Sequence, residues 1–212
     1  MRNDINGRSM IEMMGVLAIT GVLAVAGAQG FSKLMMQRKV QQTIDQISMI
    51  SSKLSAIGSE ATSYGGLSNK SAVKFKAVPS EAIVGNGSDE LVNPFGGEIA
   101  IEADSLIKGN NDNQSYSITY TGIPEEACIN LASNDWGSSG SSSLVAVGVG
   151  NDSGKLNTLY NAMYQDCKGE ASDEYTVACV NGENVSTPIS IDAAVLSCGC
   201  SGDSCVLVVK YY

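Results

Sequence analysis

Between Met13 and Phe31 the chain runs for 19 residues without a charged side chain. Wound as a helix at about 1.5 Å per residue, such a run is roughly 28 Å long, close to the thickness of a bilayer core. It has to be covered by lipid, covered by other helices, or removed as a targeting sequence. Glu12 stands at its start, between Ile11 and Met13. A carboxylate costs roughly 2.5–3.5 kcal/mol at a bilayer centre, and less towards the interface, so it calls for a partner. A cleaved secretory signal accounts for much of the segment, with Arg2 and Arg8 as the basic region, 13–25 as the apolar region and Ala26-Gly27-Ala28 as the cut. A plain single-span anchor accounts for it equally. Neither gives Glu12 a role.

Beyond the run, Met36, Val40, Ile44, Ile47, Ile50, Leu54 and Ile57 recur at steps of three or four, the period of a helix with one buried stripe. Gly58 supplies the stop. Read together, residues 8–57 form one helix of roughly 75 Å, apolar all round in its first half and amphipathic in its second. A helix passing through Ala26–Ala28 leaves no independent mature terminus there, which weakens the secretory-signal reading.

The charges divide the chain in the same place. Of the net −9, residues 1–39 carry +3 and the remainder −12. An acidic body is not expected to take nucleic acid as its main partner, since phosphate binding needs clustered Lys and Arg. The basic end is the part suited to a membrane surface. Histidine is absent, which removes Ser-His-Asp and Cys-His nucleophiles and imidazole-based metal sites. We expect no enzyme, no catalytic residues, no cofactor and no metal. Cys128, Cys167, Cys179, Cys198, Cys200 and Cys205 all lie in the last 85 residues. Their even number behind an apolar segment reads as disulfides formed outside the cytoplasm. A metal site on Cys198-x-Cys200-x4-Cys205 is the rival, without the paired CxxC spacing that would favour it.

Gly7-Arg8-Ser9-Met10-Ile11-Glu12 resembles the prepilin cleavage motif: a short charged leader, Gly before the cut, then an apolar stretch with Glu as the fifth mature residue. Gly21 and Phe31 also fall where type IV pilins often carry Gly and an aromatic. Asn93-Pro94-Phe95-Gly96 looks like the turn before the sheet in the type IVb branch. Ser115 to Trp136 is similar to its strand-then-helix unit, and Ile189 to Cys198 to the segment before the last cysteine. The resemblance implies an α+β fold, a long N-terminal α-helix packed on an antiparallel β-sheet with a disulfide-bonded C-terminal region. It implies a leader over 1–7, a membrane and filament-core helix over 8–31, its amphipathic half over 32–58 and a globular domain over 59–212.

The family's function implies a structural subunit of a type IV pilus serving adhesion, motility or DNA transfer. A prepilin peptidase would cut between Gly7 and Arg8, and Glu12 would pair with the N-terminal amine of a neighbouring copy. The partners are then copies of the chain itself, the peptidase, the pilus assembly machinery and the inner membrane before assembly; the final location is an extracellular filament. Arg8 departs from the Phe, Met or Leu that the family prefers at the first mature position, where N-methylation occurs. Gln29 replaces a frequent Pro. Four glycines, Gly15, Gly21, Gly27 and Gly30, each weaken a helix by about 1 kcal/mol relative to Ala, so the Gly21–Gly30 stretch is expected to melt locally on polymerisation. A minor pilin, a type II secretion pseudopilin, and a secreted or anchored binding domain are the alternatives.

In the body, alternation predicts strands over Glu98–Ala103 and Tyr116–Tyr120 joined by a polar loop, then strands at Leu144–Val149, Tyr175–Val180 and Val206–Tyr212. Helices are expected after Pro124, from Leu156 to Cys167 and over Asp192–Leu196. The apolar last strand belongs inside the sheet. Trp136 and the strand tyrosines read as core or interface. Of 15 possible connectivities, the favoured one joins Cys128 to Cys198, Cys167 to Cys179 and Cys200 to Cys205, with exchange of Cys198 and Cys200 as the alternative.

Overall fold

The computed structural model describes residues 10–58, 63–85, 89–137, 143–151, 156–200, 202 and 204–212. The chain divides after Arg38 into two units, crossed by one continuous helix, α1 (Met10–Gly58).

From Met10 to Leu34 the apolar side chains of α1 are exposed, and Met35 and Met36 are half-buried. Thr20 donates its hydroxyl to the Val16 carbonyl (2.9 Å) and Ser32 to the Ala28 carbonyl (3.1 Å). Both hydroxyls are thereby satisfied within the helix, as a lipid-facing or helix-facing surface requires.

The second unit is built on a six-stranded antiparallel sheet of β1 (Ile99–Asp104), β2 (Ser115–Ile123), β3 (Leu144–Asn151), β4 (Glu170–Ala171), β5 (Tyr175–Cys179) and β6 (Cys205–Tyr211), in the order β1-β2-β6-β3-β5-β4. All seven residues of β6 are buried, and the strand sits third in the sheet with β2 and β3 on its flanks. An apolar strand there has both rows of backbone groups paired and no exposed edge.

Alternation sorts the side chains into two faces. On one, Tyr116, Ile118 and Tyr120 stand opposite Tyr211, Val209 and Leu207. The stripe of α1 packs on this face: Ile47, Ile50 and Leu54 are buried completely or almost so, and Tyr116 donates its hydroxyl to the Ser51 carbonyl (3.1 Å). Tyr120 donates to the Gln46 side-chain carbonyl (3.4 Å). Full burial of each Ile or Leu contributes about 1.5–3 kcal/mol. On the other face, Leu159 of α4 (Leu156–Ala162) and Met163 just beyond it cover Val206, Val208 and Val177. Gly148 lies under α4, where a Cβ would stand 3.0 Å from the Met163 sulfur.

Burial also sets how the body responds to alkali. Desolvation pushes the Tyr116 and Tyr120 phenols far above their ordinary range, and Tyr211 from 10.0 up to about 12. An unfolded chain ionises these groups near pH 10 while the folded one does not, so their contribution is complete below that pH and is lost as pH rises. We expect a urea midpoint that is flat from about pH 7 to 9 and falls steadily between about 10 and 12. An unchanged midpoint across that window would contradict the burial of these phenols.

Helices α2 (Asn69–Lys74) and α3 (Glu125–Ala132) complete the connections, with α5 (Ile191–Ser197) before the last strand. The sequence reading missed α2. It has no apolar stripe, and its start is set by a reciprocal cap between Ser68 and Ser71. Asn69 then guards the outer edge of β1: its side chain accepts from the Ile101 amide (2.8 Å) and donates to the Ile99 carbonyl (2.9 Å), in the manner of a further strand. The expected helix from Leu156 to Cys167 is corrected to one ending at Ala162. Tertiary partners take the backbone groups that would continue it, since the Met163 carbonyl accepts from Lys210 Nζ (2.7 Å) and the Gln165 amide donates to Leu106 (2.9 Å).

The Asn93-Pro94-Phe95-Gly96 turn leads into the sheet. Asn93 is buried; its side-chain oxygen accepts from the Phe95 (2.8 Å) and Gly97 (3.2 Å) amides while its NH2 donates to the Thr121 carbonyl (2.7 Å). Gly97 approaches Thr121 so closely that a Cβ would overlap its carbonyl, and Gly96 adopts φ +97°.

Candidate assembly surfaces

Two surfaces are candidates for contact with other molecules. The first is the helix of 10–38. Met10, Leu17, Leu23 and Phe31 are each at least 64% exposed, and the most apolar 18-residue window has a mean hydropathy of 1.9 with none of it buried. Glu12 lies exposed in the first described turn of α1. Gly7 and Arg8, the residues flanking the expected cut, lie outside the described residues.

The second surface is on the body. Helix α5 begins at Ser190, whose hydroxyl accepts from the Ala193 amide, and buries Ala194 and Ser197. Its opposite face presents Ile191 (68% exposed), Val195 (51%) and Leu196 (51%). In a body this acidic, an apolar face of that kind is what a partner surface looks like.

The cysteines hold this region in place. Cys128 on α3 is bonded to Cys198, the C-cap of α5, closing a span of 70 residues. Cys167 is bonded to Cys179 and Cys200 to Cys205. In this arrangement Cys198, and not Cys200, reaches α3. A loop of that length is worth roughly 4 kcal/mol in the chain-entropy account. The structure thus assigns the Cys198-x-Cys200-x4-Cys205 group to disulfides, and among the described residues no cluster of three or more metal-ligating side chains occurs.

Sequence reasoning misses the α5 face, because the pattern over Asp192–Leu196 indicates a helix but not which side is left open. Periodicity gives no signal for it, since Ile191 and Cys198, seven residues apart, fall on nearly the same side of a helix although one is exposed and the other buried.

The chain is similar to the major structural subunit of bundle-forming pilus from Escherichia coli O127:H6, 27% identical over 183 residues and covering 84% of this chain and 89% of that protein. The corresponding subunit from Escherichia coli O111:H- is 25% identical over 180 residues, with the same coverage. Among solved structures it is similar to the type IV b pilin from Salmonella typhi, with a TM-score of 0.49 and 16% identity over 80% of this chain and 97% of that one. TcpA, a type IV pilin from Vibrio cholerae El Tor biotype, aligns with a TM-score of 0.49 and 13% identity over 84% and 99%. The model described as PilS N terminal matches residues 37–191, more than two-thirds of the chain, and the chain therefore belongs to the PilS N-terminal family of type IV pilins.

Proposed function

We propose that this chain is the major structural subunit of a type IVb pilus, made as a precursor that spans the inner membrane through α1 and polymerised into an extracellular filament. The observation that carries this reading is the exposed apolar surface from Met10 to Leu34 with Glu12 at its head. Lipid covers it in the precursor, and the same segments of neighbouring copies cover it in the filament. Both coverings keep the surface from water, so the exchange is driven by close packing of many helices and by charge pairing rather than by area burial. Prepilin peptidase cuts between Gly7 and Arg8, and the new amine of one copy meets Glu12 of another. Each charge is costly alone in an apolar core and tolerable when paired. The assembly machinery draws the processed subunit from the membrane.

N-terminal sequencing and intact mass of the mature protein test this. A chain beginning at Arg8 is expected, and one extra methyl group would show N-methylation of that residue. A start at Gln29 would remove the filament-forming helix and overturn the reading. The relatives' names favour a major over a minor subunit, and abundance in sheared surface filaments checks it.

On the body, the Ile191, Val195 and Leu196 face contributes a lateral contact between copies. A Val195→Asp, Leu196→Asp double variant is expected to keep the urea midpoint of the body and lose most filament yield. Wild-type yield would place the contact elsewhere.

A further inference from the structure

We infer that the body pairs with a second copy by exchange: the Lys74-Phe75-Lys76 corner of each enters a socket beside the amphipathic half of α1 on the other. The contact stands on the body alone. That it joins copies of different filaments rests on the filament reading.

The corner ends α2. The Lys76 amide donates to the Val73 carbonyl (2.9 Å) and the Ala77 amide to the Ala72 carbonyl (3.0 Å), the paired bonds of a helix end that usually sets glycine in the left-handed region. Here Lys76 takes that position, at φ +55°, so a cationic side chain is kept where glycine is easier. Phe75 is 55% exposed. Lys74 and Lys76 on either side of it are exposed and make no ion pair among the described residues. An open aromatic ring between two unpaired cations stands out on an acidic body.

The socket has the complementary chemistry. Its cavity of 280 Å3 falls below the range of small-ligand clefts, about 300–1,000 Å3, and suits a single side chain. Met49, Pro79 and Val92 supply apolar walls, and Asp45 and Glu81 add two exposed carboxylates. Gln46 also lines it; the residue is buried, its side-chain carbonyl is used by Tyr120, and its NH2 has no partner among the described residues. That donor matches the carbonyls a helix end leaves free. Phe75 and Pro79 are four residues apart, hence within about 14 Å. Corner and socket are thus neighbouring parts of one surface, and two copies use both only by exchange about a two-fold axis. Copies within one filament repeat in a single direction along it, so a two-fold pair joins copies of different filaments.

The test uses the full-length chain, solubilised in detergent and as sheared filaments, each an equal mixture of isotope-labelled and unlabelled protein. A carbodiimide, which joins a lysine to a carboxylate it touches, is expected to link Lys74 or Lys76 of one chain to Asp45 or Glu81 of another. Filaments of a Lys74→Glu, Lys76→Glu variant and of an Asp45→Lys, Glu81→Lys variant should each lose side-by-side association about tenfold, read by low-speed sedimentation, because many weak contacts act together. Mixing the two should restore it. Lys76→Gly removes a cation while supplying the residue a helix end favours, so it should weaken association without lowering the urea midpoint. Absence of inter-chain cross-links from both forms overturns the proposal, and loss that mixing does not restore overturns the exchange. Cross-links in the solubilised chain, with reversed filaments associating as the wild type does, uphold the contact and overturn its placement between filaments.

Discussion

A Glu12→Ala variant should be made, inserted in the membrane and folded, and yet yield almost no filament. The carboxylate sits exposed in the first turn of α1, so its loss opens no cavity in the fold. In the proposed filament it is the partner of an ammonium buried among apolar helices. Removing one member of a buried pair costs about 3–5 kcal/mol, because the other charge is left uncompensated. Spread over every subunit interface, a cost of that size stops growth. Filament yield and the body's urea midpoint are measured on the same preparation. Normal filaments from the variant would show that the amine–carboxylate pair does not steer assembly. Glu12→Asp, one methylene shorter, should assemble partially, since the charge remains and only its reach changes.

Lys210→Met should produce the largest loss of stability in the body, about 3–5 kcal/mol on the scale of broken buried pairs. The lysine is 2% exposed on the central strand; its ammonium donates to the Ser105 and Met163 carbonyls at 2.7 Å each and forms an ion pair with the Asp104 carboxylate at 2.8 Å. Two carbonyl hydrogen bonds and one opposite charge compensate the buried ammonium. The contact ties the central strand to the polar loop after β1 and to the end of α4. Methionine fills the stem but strands two carbonyls and a carboxylate. Adding Asp104→Leu to Lys210→Met should recover part of the loss, because the orphaned charge goes as well. Urea midpoints of the wild type and the two variants decide it; a Lys210→Met midpoint equal to wild type would mean that the ammonium is held by solvent.

Lys210 marks a limit of sequence reading. Val206 to Tyr212 scans as one apolar strand, and its single charge looks like an outward position. The structure buries it because the facing residues on β2, Ser117 and Thr119, are themselves polar and buried, with Tyr160 of α4 hydrogen-bonded to Thr119. A polar seam inside a sheet layer is invisible to apolar periodicity, which records only where water is excluded. The ending of α4 was missed for a related reason. Met163 belongs to the apolar stripe that suggested a longer helix, but its carbonyl is taken by a lysine 47 residues away.

Local patterning by itself determined the long α1 helix with its change from wholly apolar to amphipathic, the positions of the main strands, and the family resemblance at the N-terminus. Those are properties of adjacent residues, where periodicity, caps and charge act within one or two turns. Sheet order, the buried Lys210 pair, the Asn69 guard on β1 and the apolar face left open on α5 were decided by the tertiary structure. Each depends on which distant segment arrives opposite a given side chain. Alternation identifies the two faces of a strand, but only packing decides what covers them.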